Sequence, residues 1–304
     1  MGTYYKVKAY GSAENQDLKE DVDKFLTLFN NIFSTYIPTS ELSKINTTTF
    51  DKIKISRSMG KLLDISLTLY QKSQGYFDIT VGPLVNAWGF GPDGKRKKPT
   101  ADEIKSLMNR VGSYHLEMKK NYLHLKTKNL YLDMSAIAKG FGVDELVKYL
   151  EYNGYRNFLV EIGGEIRTRG QKADGGRWMV GIEGPSEKLG EKLAKVVPLE
   201  NLAMATSGSY RNYVKYGDEI FNHTIDPKTG RPAKHQTVSV TVLHEYCADA
   251  DAWATALMSM GSEKGLDLAN KNDLMVLFQV KNGDEISQIS TTEFDKYIKK
   301  SRGK

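Results

Sequence analysis

The sequence predicts an α+β fold, and three observations support this prediction. Segments with the two-residue alternation of strands are mixed with segments that show the three- and four-residue spacing of helices. They do not follow the strict strand–helix–strand order of a doubly wound parallel sheet. The chain has 304 residues, 40% of them apolar, which is enough for a substantial core in one large domain or two interleaved lobes. No internal repeat or long low-complexity linker divides it, so we expect a single domain over residues 1–304.

Composition and charge argue against a nucleic-acid-binding protein, a membrane-spanning protein and a disulfide-rich protein. Charged residues make up 26% of the chain and the net charge is +6, with the lysines spread along the sequence. A solvated basic surface is therefore favoured over a nucleic-acid site, which needs concentrated basic patches. No apolar run approaches the roughly 20 residues of a membrane span. The one cysteine, Cys247, cannot form an internal disulfide, and no CxxC metal pattern occurs.

The first half of the chain shows clear strand and helix patterns. The opening TYYKVKAYG alternates as a strand does, and apolar residues from Val22 to Phe33 recur at helical spacing, which predicts a helix near 15–35. Helices are also predicted over 58–72 and 101–110. Residues 114–134 alternate and turn at Lys120-Asn121, which predicts a hairpin whose strand pattern ends at Asp133.

The second half mixes helix and strand patterns. A helix with glycines near its start is predicted over 135–154, and strands are predicted in NFLVEIGGEIRTRG, WMVGIEGP, LAMATSG and TVSVTVL. A further helix is predicted from about Asp249, a suitable N-cap, to Gly261, a suitable C-terminal stop. LMVLFQV is predicted to be the last strand, and 292–300 the last helix.

The helix near Asp249 carries a polar pair in an otherwise small and apolar sequence. Asp251 and Thr255 are one helical turn apart, so both side chains would present oxygen atoms on one helix face. A carboxylate with a hydroxyl is ligand chemistry for a hard cation such as Mg²⁺ or Ca²⁺. Taken alone, the pair could equally be a carboxylate near a helix start and a hydroxyl bonded back to a carbonyl.

Three further polar residues are candidates for binding or chemistry. Asp133 is placed at a predicted strand end, and Lys139 follows near a helix start rich in small residues, where it could contact an anion. Helix capping and close packing are the alternative for this segment. His223 lies in a turn-rich loop, where it could act as a base or have no chemical role.

Aromatic residues are concentrated in one segment, GYFDITVGPLVNAWGFGPDGK. Its composition indicates an ordered loop, because flexible linkers are rarely so aromatic. Tyr76, Phe77 and Trp88 could stack on a flat heterocycle, and a buried aromatic cluster is the alternative. The pair Gly163-Gly164 permits close backbone approach to a phosphate, but no Rossmann or P-loop pattern accompanies it.

Eight sequence blocks occur in a fixed order between about residues 1 and 280. They are MGTYYKVK, FSTYIPTSELSKIN, GYFDITVGPLVNAWGFGP, LDMSAIAKGFGVD, VEIGGEIRTRG, ATSGSYRNY, HTIDPKTGRP and ADAWATAL. In this order they resemble the FAD:protein FMN transferases, the ApbE-type flavin transferase family. The resemblance implies an ApbE-like, T-fold-like arrangement of mixed sheets with packed helices, in two interleaved lobes with a cleft between them.

The resemblance also implies an activity. Members of the family bind FAD and a divalent cation, usually Mg²⁺, and transfer the FMN half of FAD to a threonine hydroxyl of another protein through a phosphoester, releasing AMP. The implied partner is an acceptor protein outside the cytoplasm, such as a flavin-bearing lipoprotein or a redox-pump subunit. A metal-dependent FAD pyrophosphatase that gives FMN and AMP, and a non-catalytic FAD-binding protein, are the alternatives.

The resemblance assigns roles to individual residues. The implied metal ligands are the side chains of Asp251 and Thr255 and the backbone oxygen of Ala136. Asp251 and His223 are the predicted catalytic residues. The choice of His223 as general base rests on histidine chemistry, and Asp78, Asp133 or the cation alone are the alternatives. The implied FAD contacts are Met1, Tyr36, Tyr76, Phe77, Asp78, Asp133, Lys139 and Ile225.

The expected location of the protein also follows from the resemblance. Family members usually reach their acceptor through an N-terminal lipid anchor. We therefore expect an extracytoplasmic protein attached to the cell membrane, with the anchor missing from this chain. The chain opens directly on an alternating strand and shows no signal peptide, so a cytoplasmic form is the alternative.

Overall fold

A computed structural model describes residues 2–11, 17–91, 98–185, 193–209, 213–217 and 219–302. The strands are β1 (Tyr5–Tyr10), β2 (Lys52–Lys54), β3 (Leu116–Lys119), β4 (Tyr122–Leu125), β5 (Asn157–Ile162), β6 (Glu165–Arg169), β7 (Met179–Glu183), β8 (Leu193–Pro198), β9 (Ala203–Gly208), β10 (Tyr213–Tyr216), β11 (Glu219–Asn222), β12 (Ile225–Asp226), β13 (Arg231–Pro232), β14 (Thr237–His244), β15 (Met275–Asn282) and β16 (Glu285–Ser290). The helices are α1 (Leu18–Phe33), α2 (Glu41–Thr47), α3 (Arg57–Lys72), α4 (Gly82–Ala87), α5 (Ala101–Met108), α6 (Ala138–Tyr152), α7 (Cys247–Met260), α8 (Ser262–Lys271) and α9 (Thr292–Arg302).

A seven-stranded antiparallel sheet organises one half of the described structure. Its strand order is β1-β5-β6-β9-β14-β15-β16. Helices α6 and α7 pack on one face of this sheet, while α9 and the two-stranded ribbon β7–β8 pack on the other. Both faces of the sheet are therefore covered. Successive side chains along each strand point alternately into two apolar layers.

The two layers can be followed along single strands. In β5, Phe158 and Val160 point toward α6, where they pack with Val147 and its apolar neighbours. In β14, Leu243 points to the opposite layer and packs with Phe294 of α9. Burial of such side chains contributes about 1.5–3 kcal/mol each, which makes these layers the main source of stability.

The other half is built from helices α1 to α5 and from smaller sheets. The sheet β2-β4-β3 and helix α3 share an apolar cluster with α7, in which Leu62 and Leu63 lie with Trp253. A further cluster contains Trp88, whose indole N–H donates to the carbonyl of Gly230 at 2.9 Å. Segments distant in sequence thus enclose the space beside α7.

Most predicted elements are confirmed with small shifts at their ends. The first strand, the helices near 15–35, 58–72 and 101–110, the hairpin turn at Lys120-Asn121 and the glycine-bearing helix all appear as β1, α1, α3, α5, β3–β4 and α6. The final helix appears as α9. The single domain over 1–304 stays a prediction.

Three predictions of local structure are wrong. The segment that ends at Asp133 forms no strand. The side chain of Asn46 bonds both backbone groups of Leu132, at 2.7 and 2.9 Å, and the N–H of Asp133 donates to the carbonyl of Ile79 at 2.7 Å. Helix α7 begins at Cys247 instead of Asp249. LMVLFQV is not the last strand, because β16 follows it at the sheet edge. For Trp88 the sequence left two alternatives open, and the structure confirms the buried aromatic cluster, in which its ring packs against Phe221.

None of the helices in the described ranges has the length and apolarity needed to cross a bilayer.

Candidate active site

A cavity of about 470 Å³ lies where β6, β9 and the starts of α6 and α7 meet loops from the other half of the structure. Many residues with predicted roles line it: Tyr76, Phe77, Asp78, Asp133, Ala136, Lys139, His223, Ile225, Asp251 and Thr255. Tyr36 lies outside this lining with its side chain exposed, and Met1 falls outside the described residues. The structure therefore brings most of the predicted site together, while the role of each residue stays a prediction.

Helix α7 is anchored at its start by a side chain from α6. Its N-cap residue, Tyr246, makes no side-chain cap. Instead, the carboxylate of Asp144 accepts the N–H groups of Cys247 at 3.0 Å and Ala248 at 2.9 Å. Arg167 donates to the same carboxylate at 2.5 Å. Because the buried carboxylate oxygens of Asp144 accept these N–H groups of the first turn, the helix can begin two residues before Asp249.

Gly140 sets the separation between α6 and α7. A Cβ atom at this position would lie 2.3 Å from the carbonyl oxygen of Cys247, so no other residue fits without displacing α7. The N–H of Gly140 donates to Asp251 Oδ2 at 3.0 Å. Gly140 is the third residue of α6, so its N–H is one of the groups that have no partner within the helix. Ala136, which precedes the helix, lies at the edge of the cavity.

Asp251 belongs to a buried charge cluster with Lys139 and Glu165. The ammonium of Lys139 lies 2.7 Å from Glu165 Oε1 and 3.6 Å from Asp251 Oδ1. Burial lowers the pKa of Lys139, but the charges of Asp251 and Glu165 outweigh this effect and raise it above the ordinary lysine value. Burial, with the nearby Asp251 charge, raises the pKa of Glu165 to about 7 against the opposing effect of Lys139.

Thr255 lies one turn after Asp251 and contacts a second hydroxyl. Its Oγ1 is 3.2 Å from Ser207 Oγ on β9, and Ser207 also lines the cavity. When Thr255 donates its proton to Ser207, a lone pair of Thr255 remains for a cation. Ser207 and Glu165 were not singled out individually from the sequence, although both lie in the quoted blocks ATSGSYRNY and VEIGGEIRTRG.

Asp78 lies on the opposite wall of the cavity with its carboxylate already occupied. Thr80 donates to it through its backbone N–H at 2.9 Å and its hydroxyl at 2.7 Å. Ser113 donates through its N–H at 3.2 Å and its hydroxyl at 2.7 Å. Burial raises the pKa of Asp78 even though these bonds lower it. This environment is that of a structural carboxylate and does not favour Asp78 as the base.

His223 occupies the short connection between β11 and β12. Asn222 fixes this connection, since its side-chain amide donates to the carbonyl of Ala233 at 2.7 Å and its oxygen accepts the N–H of Thr224 at 3.0 Å. The imidazole lies edge-on to Phe90, with 6.3 Å between ring centroids. The loop thus holds the histidine at the cavity wall, as a general base would require.

Known proteins resemble this chain over most of its length. The ApbE family model matches residues 1–278. The chain belongs to the ApbE family.

Curated members of the ApbE family cover nearly the whole chain. A FAD:protein FMN transferase of Vibrio cholerae serotype O1 is 39% identical over 99% of this chain and 91% of its own length. One of Haemophilus influenzae is 36% identical over 97% of this chain and 89% of its length.

Solved ApbE structures have the same fold. The flavin transferase ApbE from Vibrio cholerae superposes with a TM-score of 0.88 at 39% identity, covering 98% of this chain and 96% of that one. The apo form of Pseudomonas stutzeri flavinyl transferase ApbE gives a TM-score of 0.90 at 34% identity, covering 98% and 94%. The predicted ApbE-like α+β fold is confirmed.

The cavity of this ApbE-family chain suits a hard divalent cation. Its described lining holds one ammonium, that of Lys139, against a larger set of carboxylates: Asp78, Asp133, Glu161, Glu165, Glu183 and Asp251. The oxygens of Asp251, Thr255 and Ala136 are the ligand type that Mg²⁺ and Ca²⁺ prefer. Among the described residues no cluster of three His, Cys, Asp or Glu side chains forms a ready-made metal site. A cation there would therefore need backbone, hydroxyl and ligand oxygens to complete its shell.

Proposed function

We propose that this protein transfers the FMN half of FAD to a threonine hydroxyl of an acceptor protein, releasing AMP. Two findings support the proposal: its relatives are FAD:protein FMN transferases, and one cavity gathers Asp251, Thr255, Lys139 and His223. The proposed mechanism rests on the cavity, because its groups supply the charge and the base that phosphoryl transfer to a hydroxyl needs.

The charge balance of the cavity supports dependence on a divalent cation. A diphosphate would be repelled by the carboxylates around Lys139 unless positive charge accompanies it. We assign Asp251, Thr255 and the carbonyl of Ala136 to hold Mg²⁺ or a similar ion. When bound, the ion supplies charge neutralisation on the diphosphate and on the departing AMP phosphate. Lys139 adds a second positive charge, held in place by Glu165.

The transfer step needs one bond to form and one to break. The threonine oxygen of the acceptor forms a phosphoester with the FMN phosphorus. The bond from that phosphorus to the bridging oxygen breaks, and AMP leaves with this oxygen. His223 is assigned to take the hydroxyl proton, because an imidazole accepts protons near neutral pH. The aromatic ring of Tyr76, which lies under the Lys228 ammonium at 5.6 Å, is available to contact the flavin.

Mass spectrometry of an acceptor protein tests this function. The purified chain is incubated with FAD, Mg²⁺ and a flavoprotein domain that carries a candidate threonine. We expect the domain to gain the mass of one FMN on that threonine, with an equal amount of AMP released. AMP release that is equally fast without the domain, with no mass gain, would instead indicate an FAD pyrophosphatase. FAD that stays intact throughout would indicate a binding protein.

The cellular setting is part of the proposal. We propose that the acceptor is an extracytoplasmic flavoprotein or redox-pump subunit and that the protein works at the outer side of the cell membrane, attached by a lipid. The family resemblance supports this. Fractionation of cells that produce the native gene product should place it with the membranes. Recovery in the cytoplasmic fraction would contradict the proposal.

A further inference from the structure

The ribbon β7–β8 has one buried and one exposed face. Its buried face carries Val180, Ile182 and Val197, which pack against the large sheet and α9. Its other face carries apolar side chains that are half or more exposed: Met179, Leu193 and Val196 are 50%, 61% and 51% exposed. Three large apolar residues on one short ribbon are unusual for a surface without a binding role.

This exposed face continues into the cavity. Gly181 and Glu183 alternate with the buried residues of β7, so they point to the same side as Met179. Both line the cavity. Across the ribbon, Val196 pairs with Gly181, and Leu193 pairs with Glu183. The side chain of Leu193 covers Gly181, where an added Cβ would lie 2.7 Å from Leu193 Cδ2.

The second substrate of the proposed reaction is a protein, and its size determines where it can bind. A cavity of about 470 Å³ is far too small for a folded domain, so an acceptor can reach it only with the residue that is modified. The remainder of the acceptor must rest on the surface beside the opening. Exposed apolar side chains that adjoin the cavity are suited to that contact, because burying them on binding is favourable and their exposure in the free protein is not.

We propose that the exposed ribbon face, formed by Met179, Gly181, Leu193 and Val196, docks the acceptor protein. The proposal rests on the proposed function. The expected partner surface is an apolar patch on a folded domain, next to the threonine that receives FMN. Docking there would hold the threonine at the opening of the cavity.

Kinetics with two acceptors test the docking surface. The probes are a flavoprotein domain that the wild-type protein modifies and a peptide of about five residues around its threonine, roughly 17 Å long when extended. The variant Leu193→Ser/Val196→Ser is compared with Leu28→Ser, which removes an equally exposed leucine from α1, outside the cavity lining. We expect kcat/KM for the domain to fall about tenfold in the ribbon variant and to stay unchanged in the Leu28 variant. The rate with the peptide and the affinity for FAD should be the same in all three proteins.

Each other outcome contradicts a defined part of the proposal. Equal kcat/KM for the domain in both variants, or an equal loss with the peptide, would overturn docking at the ribbon. A wild-type dimer that the ribbon variant converts to a monomer would show that the face binds a second copy instead. Absence of FMN transfer by the wild-type protein to any domain would overturn the proposed function itself, and docking with it.

Discussion

Two buried carboxylates face the same cavity in different surroundings. Asp78 receives four hydrogen bonds from Thr80 and Ser113. Asp251 accepts the N–H of Gly140 through one oxygen, and its other oxygen faces Lys139 across 3.6 Å. A carboxylate whose bonding capacity is filled by its own chain stabilises local structure, whereas one with an oxygen left over can bind a ligand. The contrast predicts that Asp78 acts on stability and Asp251 on activity.

The largest expected effect is at Asp251. We expect Asp251→Ala to lower FMN transfer by about a thousandfold or more, because the main negative ligand of the proposed cation is lost. Lys139 keeps Glu165 as its partner, so the fold should survive. Asp249→Ala, on the same helix but outside the cavity lining, is the control. Full activity of Asp251→Ala in metal-free buffer would rule out the assignment.

Gly140→Ala tests whether Asp251 depends on the close approach of α6 and α7. The new methyl would lie 2.3 Å from the Cys247 carbonyl oxygen, and we expect a loss of about 3 kcal/mol in the free energy of unfolding. Gly60→Ala in α3 is the matched control, since its nearest neighbour would be Ile55 at 3.8 Å and no loss is expected. Urea unfolding measures both. Equal stability of the two variants would show that α7 moves away at little cost.

Asp78→Asn tests the other side of the comparison. The amide brings a donor into a site where four donors already converge, so we expect a loss of about 2 kcal/mol in stability. The turnover of the folded variant should stay within a few-fold of wild type. If Asp78→Asn left stability unchanged but abolished FMN transfer, Asp78 would act on activity instead of stability, which would support it as the base.

The most gradual effect, which is small over any one pH unit, concerns Glu165 and pH. Its pKa is about 7 in the folded protein against 4.5 for an ordinary glutamate, so the folded state binds the proton more tightly. Stability is therefore highest below the lower value and falls as pH rises toward the higher one, by at most about 1.4 kcal/mol per pH unit. Glu165→Gln should remove this slope in urea unfolding with EDTA present. The same slope in both proteins would assign it to another group.

Sequence spacing is sufficient to predict some of these features. Asp251 and Thr255 are one turn apart on one chain segment, so helical periodicity alone places them together. The apolar spacing in α1 and α3 is likewise sufficient to predict these two helices. The short strands β10 to β13 and the exposed strand β16 lack a strong apolar alternation, so they were not predicted. Their pairing depends on tertiary contacts that a local pattern does not contain.

Local sequence patterns cannot predict which side chains contact the site residues. Ser207 is 48 positions from Thr255, and Glu165 is 26 positions from Lys139. Only the sheet order, which places β6 beside β9 and under α7, brings these side chains to one cavity. The same holds for Asp144, whose capping of α7 moved the helix start away from the predicted position at Asp249.

The burial of Cys247 has a practical consequence. This cysteine is completely buried at the start of α7, and burial raises the pKa of its thiol well above the usual value. Its Sγ lies 3.7 Å from the carbonyl oxygen of Ile166 on β6, so a thiol-reactive dye can modify it only after the start of α7, one turn before Asp251, separates from its surroundings. Because the chain has no other cysteine, the labelling rate of the unmodified protein would report directly how often the helix carrying the proposed cation ligands opens.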